Sequence, residues 1–181
     1  MYEPKSAPLT VTETARLRLR HLSGADAAFV LELNTDPDFI ANIGDRGVHT
    51  LQDAQRYIAE GPAQSYERFG FGLFLVERKD SCVALGMCGL LRRDSHPDVE
   101  IGFAFLPQAR HRGYALEAAA ATLQLGVDAL GLTRIVAITA PDNAASIRIL
   151  KHLGLRFERM VHFTPDGRES RLFVYERAAP R

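Results

Sequence analysis

The chain has 181 residues, of which 46% are hydrophobic and 24% are charged, and this is the composition of one globular domain. Its 22 basic and 22 acidic residues cancel, which argues against nucleic acid as the main partner. No apolar run reaches the roughly 18 residues of a membrane span, so no membrane partner is expected. The polar first 14 residues lack a signal-peptide stretch, which favours the cytoplasm.

Hydrophobic periodicity divides the N-terminal half into a leader and the start of a domain. We predict a leader over residues 1–13 and one domain over residues 14–181. Alternation predicts a first strand, and Ser23 and Thr50 are suited to cap two helices. The predicted elements are a strand at 15–20, a helix from Ser23 to before Pro37, a loop at 37–49 and a helix from Thr50 to about Arg68 that breaks at Gly61-Pro62.

The C-terminal half alternates between strands and helices. A hairpin and a third strand come first, and the longest helix then ends at Gly131. The predicted elements are strands at 71–77, 83–91 and 99–106, a helix at 114–130, a strand at 134–140, a helix at 143–153, and strands at 156–163 and 172–176 around a Pro165-Asp166-Gly167 turn. This order predicts a mixed α/β sheet, antiparallel in the hairpin region. A right-handed crossover within residues 99–140 should make its two strands parallel.

The two cysteines, Cys82 and Cys88, are predicted to lie in one strand. Six residues of extended chain place them about 20 Å apart, which is too far for a disulfide. We therefore predict two small, reduced core residues. The six histidines show no metal-ligand spacing and are predicted to have surface or packing roles.

The segment 107–115, between a predicted strand and a predicted helix, is suited to bind phosphate groups. The N-terminus of a helix offers unpaired N–H groups, and Gly113 permits a close approach or a positive φ. Arg110, His111 and Arg112 add positive potential. From these residues alone, a basic loop that merely caps a helix is an equally good interpretation. The Gly-Lys-Ser/Thr ending of a Walker A loop and the three glycines of a dinucleotide fingerprint are absent.

Several segments together resemble the Gcn5-related N-acetyltransferases (GNAT), in particular the ribosomal-protein (RimJ/RimL-type) branch. Arg110-x-x-Gly113-x-Ala115 is similar to the acetyl-CoA loop of that family. The other similar segments are the opening strand at 14–20, Gly86 to Leu90, Glu100 to Phe103, and Asn143-x-x-Ser146 followed by Leu153-Gly154. The similarity covers residues 14 to about 177, and its specificity comes from the order and spacing of these segments.

The resemblance implies the GNAT fold and a site for acetyl-CoA. This fold is a single α/β (α+β) domain with a mixed, mostly antiparallel sheet, helices on both faces and one parallel strand pair that splays apart. The pantetheine arm would enter between the strand ending near Leu106 and the strand beginning near Arg134. The implied cofactor contacts are backbone groups of Phe103 and Phe105 and the amide of Asn143 for pantetheine, and the N–H groups of Arg110, His111, Arg112, Gly113 and Ala115 for the pyrophosphate. No metal is implied.

The resemblance also implies direct attack of an amine on acetyl-CoA, for which the amine must be neutral. At pH 7 deprotonation costs roughly 4–5 kcal/mol for a lysine-type amine and about 1–1.5 kcal/mol for an α-amine. Glu100 is the predicted general base, with its pKa expected to be raised by an apolar strand, and an ordinary ion-pair role is the alternative. Ser146 is the predicted acid for the leaving thiolate, with Tyr114 as a weaker candidate. Asn143 and Ser146 have alternative roles as an N-cap and a first-turn polar residue.

The leading functional interpretation is an acetyl-CoA-dependent N-acetyltransferase. Its acceptor would be a protein N-terminal α-amine or a small-molecule amine such as a polyamine, an antibiotic or an amino acid. The alternative is a non-catalytic acetyl-CoA sensor or interaction module, and a monomer or homodimer is expected. Acceptor determinants are expected in loop 37–49, in the second helix with Tyr57 and Tyr66, and in hairpin 163–171. Asp36, Asp38 and Asp45 are candidates to attract a cationic amine.

Overall fold

The computed structural model describes residues 9–94, 96–163 and 167–177, and its centre is an eight-stranded sheet. The strands are β1 (Thr10–Glu13), β2 (Leu17–Arg20), β3 (Leu73–Arg78), β4 (Ala84–Arg92), β5 (Val99–Phe105), β6 (Arg134–Thr139), β7 (Arg156–Val161) and β8 (Ser170–Glu176). Their order across the sheet is β1-β2-β3-β4-β5-β6-β8-β7. Only β5 and β6 are parallel, so the predicted mixed, mostly antiparallel fold class is confirmed.

Helices cover both faces of this sheet. They are α1 (Ala27–Asn34), α2 (Pro37–Ile43), α3 (Leu51–Ile58), α4 (Gln64–Phe69), α5 (Tyr114–Gln124) and α6 (Ala144–His152). Helices α5 and α6 pack on one face, where the small residues Ala118 and Ala119 of α5 are fully buried against the strands. Helices α1 to α3 pack on the opposite face around Leu75 and Met87. The alternation of side chains along the strands therefore separates two cores.

The predicted loop at 37–49 is wrong over its first half, because Pro37–Ile43 forms α2. Asp36 caps this helix by accepting a hydrogen bond from the Phe39 N–H at 3.1 Å, and Pro37 occupies the first turn, where no donor is needed. The Gly and Asn residues of the segment suggested a loop, although Asp36 and Pro37 form a helix-start signal. The helix ends at Gly44, which has a φ of 105°.

Two further predicted boundaries differ from the structure. The second predicted helix does not break at Gly61-Pro62, because a π-helical turn at Ala59–Ala63 carries the chain from α3 into α4 and accommodates Pro62, which lacks an N–H. Part of the predicted leader, Thr10–Glu13, forms β1 and pairs with β2. Residues 1–8 and the Pro165-Asp166 part of the predicted turn lie outside the described residues.

The two cysteines occupy different environments. Cys88 is buried in β4, and burial raises the pKa of its thiol to about 12. Cys82 is exposed, with a φ of 55°, in the turn between β3 and β4, so its predicted core role is wrong. Both are free thiols, as predicted.

The described part of the chain contains no helix long and apolar enough to cross a membrane. Within the same residues no group of three His, Cys, Asp or Glu side chains is arranged to hold a metal ion.

Candidate functional site

The parallel strands β5 and β6 separate shortly after they meet. Within the described residues they pair at Val99 with Ile135 and at Glu100 with Val136, and β5 has no partner on that side from Ile101 onward. The β5–α5–β6 crossover therefore leaves a slot in the sheet beside Glu100, which agrees with the predicted splayed pair.

The backbone of β5 presents unpaired groups to this slot. The Leu106 N–H donates to the Leu85 carbonyl at 2.9 Å, so by the antiparallel alternation the backbone groups of Phe105 and Phe103 point away from β4. The Phe105 carbonyl already accepts a hydrogen bond from Arg110 Nε at 3.0 Å. Phe103 thus offers both of its backbone groups to an extended ligand, and Phe105 offers its N–H.

The loop between β5 and α5 has the backbone shape that a bound anion needs. His111 and Gly113 have positive φ values of 59° and 78°, and the side chains of His111 and Arg112 are exposed. The first N–H groups of α5, including that of Ala115, have no partner within the helix. The Arg110 N–H is different, because it donates to the Pro107 carbonyl at 3.2 Å. This N–H is therefore already engaged in a turn and is not available for its predicted contact with the pyrophosphate.

The Arg110 side chain connects the loop to helix α2. Its guanidinium forms ion pairs with Asp36, which is the α2 N-cap, and with Asp38. The single charge of this guanidinium offsets one of the two carboxylate charges, which weakens the predicted role of Asp36 and Asp38 in attracting a cationic amine. Asp45 lies 3.2 Å from His49 Nε2 and is also partnered.

Arg16 supports the same loop, and sequence reasoning missed it. Its guanidinium donates to the Arg112 carbonyl at 3.0 Å, lies 4.5 Å above the Tyr114 ring and pairs with Glu117 at 2.6 Å. A Cβ atom added to Gly113 would meet Arg16 Nη2 at 3.3 Å. Tyr114 itself is buried in the core beneath Arg16, as expected of a packing residue. No local signal in the sequence joins Arg16 to residues a hundred positions away.

Glu100 lies at the start of the slot and is 5% exposed. Its Oε2 accepts a hydrogen bond from Arg93 Nε at 2.6 Å and lies 3.6 Å from His96 Nε2. Burial alone would raise the pKa of Glu100, but His96 and the charge of Arg93 outweigh it, so the pKa lies below its ordinary value. The predicted upward shift is therefore wrong, because the sequence did not show that two basic groups surround this carboxylate.

The N-terminus of α6 lies after β6. The Asn143 side-chain oxygen accepts a hydrogen bond from the Ser146 N–H at 3.1 Å, so the N-cap interpretation of Asn143 is confirmed. Its amide N–H groups remain available for a ligand. Ser146 is half-buried, and its hydroxyl has no hydrogen-bond partner among the described residues.

The face of the sheet that carries Glu100 also carries two adjoining cavities of about 330 and 280 Å³. Tyr57 and Glu60 line both, and burial raises the pKa of the Tyr57 hydroxyl. The smaller cavity reaches Leu91, which is the cross-strand neighbour of Glu100. Tyr66 has a structural role, because its hydroxyl donates to the Leu73 carbonyl and accepts from the Leu22 N–H.

Comparison with known proteins agrees with this geometry. The family model for the acetyltransferase (GNAT) domain matches residues 16–156. YnaD of Bacillus subtilis (strain 168), an uncharacterised N-acetyltransferase, is 31% identical over 145 residues, which cover 80% of this chain and 82% of YnaD. An acetyltransferase from Agrobacterium tumefaciens str. C58 superposes with a TM-score of 0.80 at 22% identity, covering 98% of this chain and 100% of that one.

A third similar structure is the ribosomal L7/L12 α-N-protein acetyltransferase RimL in complex with coenzyme A. It has a TM-score of 0.76 at 12% identity, and 93% of this chain and 98% of that chain are covered. The fold and the slot define an acyltransferase, the class whose members take an acyl group from acetyl-CoA. The chain belongs to the GNAT acetyltransferase family.

Proposed function

We propose that this protein transfers acetyl from acetyl-CoA directly to a primary amine, and that it belongs to the ribosomal-protein (RimJ/RimL-type) branch of the family. The main support is the slot between β5 and β6, which begins beside the buried carboxylate of Glu100 and lies next to the loop at the N-terminus of α5. A thioester in this slot and an amine from the cavities would meet at Glu100.

The cofactor is held largely by backbone groups. The pantetheine arm pairs with Phe103 and with the Phe105 N–H in the way that an additional strand would. The pyrophosphate accepts hydrogen bonds from the N–H groups of Gly113, Ala115 and their neighbours in the loop, where the helix dipole favours negative charge. The side-chain amide of Asn143 donates to pantetheine from the other side of the slot.

Glu100 acts as the general base, directly or through a water molecule. An ammonium acceptor loses one proton to this base, and the lone pair of the neutral amine then attacks the acetyl carbonyl. As the tetrahedral intermediate collapses, the C–S bond breaks, and the nitrogen gives its second proton to water. The Ser146 hydroxyl donates its proton to the departing thiolate and takes one back from water, so the products are the amide and the free thiol of CoA.

The low pKa of Glu100 favours an α-amine as the acceptor. A carboxylate stabilised by Arg93 is a weak base, and it removes a proton more readily from an α-amine, with a pKa near 7.7–8, than from a lysine-type amine near 10.4. A protein or peptide N-terminus, or a small molecule with a comparable amine, fits this limit better than a polyamine.

We also place the protein in the cytoplasm, as a monomer or homodimer, without nucleic acid or membrane as a partner. The two free cysteines are consistent with a reducing compartment.

The test is the release of free thiol from acetyl-CoA with a panel of amines at pH 7.5. Peptides with free and with N-acetylated α-amines form a matched pair, and spermidine represents the high-pKa amines. We expect thiol release with the free α-amine, and a peptide product that is heavier than the substrate by one acetyl group, about 42 Da. Spermidine should be turned over more slowly because its amines have higher pKa values. Tight binding of acetyl-CoA without release for any amine would contradict the proposal and support a sensor.

A further inference from the structure

The side chain of His96 is buried, and its contact with a carboxylate is slightly longer than a normal hydrogen bond. It follows β4 in the turn that leads into β5, and its side chain is 4% exposed. Neither ring nitrogen has a hydrogen-bond partner among the described residues. Buried polar groups in folded proteins are normally hydrogen-bonded, because an unpaired one loses its interaction with water without compensation. The predicted packing role does not account for an imidazole at this position, where an apolar ring would pack without that cost.

The surroundings of His96 direct one of its nitrogens to Glu100. His96 Nε2 lies 3.6 Å from Glu100 Oε2, the same oxygen that accepts a hydrogen bond from Arg93 Nε. One face of the imidazole stacks on the Phe163 ring, with 5.2 Å between ring centroids and 24° between planes. Phe163 therefore restricts the plane of the ring, and Nε2 is the nitrogen that lies near the carboxylate.

The ionisable groups around this pair come from its own turn and from two other elements, β7 and α3. Arg93 follows β4 in the same turn and contacts Glu100, and Arg159 on β7 lies 5.7 Å from the centroid of Phe163, on a ring that also stacks on His96. On α3, the Tyr57 hydroxyl is within electrostatic range of Arg93. Glu100 is the acidic group that the structure places against the imidazole.

We propose that His96 is the proton relay partner of Glu100 in the acetyl transfer reaction, an inference that rests on the proposed function. His96 acts through Glu100 and is therefore a positioning and relay residue. The acceptor ammonium gives its proton to Glu100 Oε2, and an N–H bond then forms at His96 Nε2 as the O–H bond breaks. The carboxylate is regenerated, and the imidazolium later releases the proton to solvent.

Two observations support a relay over a purely structural ion pair. Arg93 stabilises the ionised form of Glu100, so a proton left on this carboxylate is held weakly and must move on for the next cycle. An imidazole gains and loses a proton near neutral pH, and a ring nitrogen that is not engaged elsewhere can accept one without first breaking a hydrogen bond.

The first test compares His96→Gln with wild type by pH-rate profiles from pH 6 to pH 9. The amide of glutamine donates to Glu100 but does not take up a proton. We expect kcat to fall by about 10-fold or more, within the usual range for a proton-transfer group, with the Kd for acetyl-CoA unchanged within about twofold. We also expect the ratio of the His96→Gln rate to the wild-type rate to change with pH, because the acceptor amine is the same in both enzymes. The control is His21→Gln, because His21 is also a stacked imidazole but contacts Tyr66, away from Glu100.

A profile for His96→Gln that matches wild type would overturn the relay. So would a uniform loss at every pH that His96→Phe reproduces, because that pattern shows a packing role alone. Circular dichroism and melting curves confirm that each variant is folded before its kinetics are compared.

The second test does not depend on activity. In ¹⁵N-histidine NMR spectra, the resonances of the His96 ring nitrogens should differ between Glu100→Gln and wild type, because the carboxylate charge 3.6 Å from Nε2 has been removed. Unchanged ring-nitrogen resonances would overturn the proposed coupling. If wild type released no thiol with any amine, the proposed function would fail, whereas this NMR result would still show whether the pair exists.

Discussion

The two sides of the β5–β6 slot are built on different principles. The proposed cofactor side consists of backbone groups from one stretch of the chain, shaped by the positive φ of Gly113 and by the start of α5. The proposed acceptor side consists of side chains from separate segments: the buried Glu100 from β5, Arg93 and the buried His96 from the preceding turn, and Phe163 just after β7. A backbone site tolerates changes of side chain, whereas a cluster of buried charges changes its chemistry with every substitution.

This difference explains where the charges of the molecule act. On the proposed cofactor side, the side chains of Arg110 and Arg16 are occupied by ion pairs with acidic residues, so they position the loop and leave its peptide N–H groups as the expected contacts of an anion. On the proposed acceptor side, His96 and Arg93 act directly on the carboxylate of Glu100 and lower its pKa.

The largest expected effect is a loss of acetyl-CoA affinity, from a substitution that changes only the proposed cofactor side of the slot. Gly113→Glu forces a side chain into a backbone with a φ of 78° and places a negative charge at the proposed pyrophosphate site. The loss of two charge-assisted contacts, each contributing about 1.5–3 kcal/mol, predicts an affinity for acetyl-CoA at least roughly 100-fold lower by calorimetry.

The matched control for this change is Gly131→Glu. Gly131 has a similar φ of 65°, but it lies beyond the C-terminal end of the same helical segment with open space around it. It should suffer the same backbone strain with unchanged cofactor affinity. Wild-type affinity in Gly113→Glu would remove the loop from the cofactor site.

The second expected effect is a loss of turnover, from a substitution that changes only the proposed acceptor side of the slot. Glu100→Gln removes the proposed base, so we expect turnover at pH 7 to fall about 100-fold or more while acetyl-CoA affinity stays within about twofold. Steady-state kinetics from pH 6 to pH 9 and calorimetry measure the two quantities. Unchanged turnover over this pH range would exclude Glu100 as the base.

Glu77→Gln is the control for burial in this experiment. Glu77 is also 5% exposed and pairs with two arginines, Arg18 and Arg20, but it lies on β3 and not at the slot. It should lower the melting temperature without lowering kcat. An equal loss of kcat in both variants would mean that the effect of Glu100→Gln comes from general destabilisation.

A third, smaller effect concerns the ion pair of Arg16 with Glu117, which supports the loop between β5 and α5. Burial raises the pKa of Glu117, but the Thr14 hydroxyl and Arg16 outweigh it and hold that pKa below its ordinary value. The ionised carboxylate therefore stabilises the folded state above the unfolded pKa of about 4.3, and this stabilisation is lost as pH falls through the lower folded pKa.

Urea unfolding of Glu117→Gln tests the direction of this pH dependence. We expect a loss of about 1–2 kcal/mol in the free energy of unfolding at pH 7, shrinking toward zero below about pH 4. Glu67→Gln is the control, because Glu67 is an exposed acid in the first turn of α4. A difference that does not depend on pH would contradict the assignment of this ion pair.

The smallest expected effect separates the two roles of Asn143. Asn143→Ala loses the N-cap of α6, which costs about 1 kcal/mol and lowers the melting temperature by roughly 2–4 °C. Asn143→Asp restores the cap but not the amide donor. If Asn143 also binds pantetheine, Asn143→Asp should recover the melting temperature while its KM for acetyl-CoA stays raised. Full recovery of both would leave Asn143 with the cap alone.

The sequence by itself determined the order of most strands and helices along the chain and the parallel crossover. Both depend on short-range information: the alternation of residues in a strand and the apolar period of α5. The N-cap of α6 was also visible, because a cap is a contact between Asn143 and Ser146, only three residues apart.

Tertiary structure alone decided the electrostatics of the site. The pKa of Glu100 depends on which charges lie within a few ångströms of it, and the apolar strand around it suggested the wrong direction. The pairing of Arg110 with Asp36 and Asp38 crosses more than seventy residues. His96 was assigned to packing because its partners, Glu100 and Phe163, meet only when the hairpin and the end of β7 come together. Backbone geometry follows from neighbours along the chain, whereas the acidity of a buried group follows from its neighbours in space.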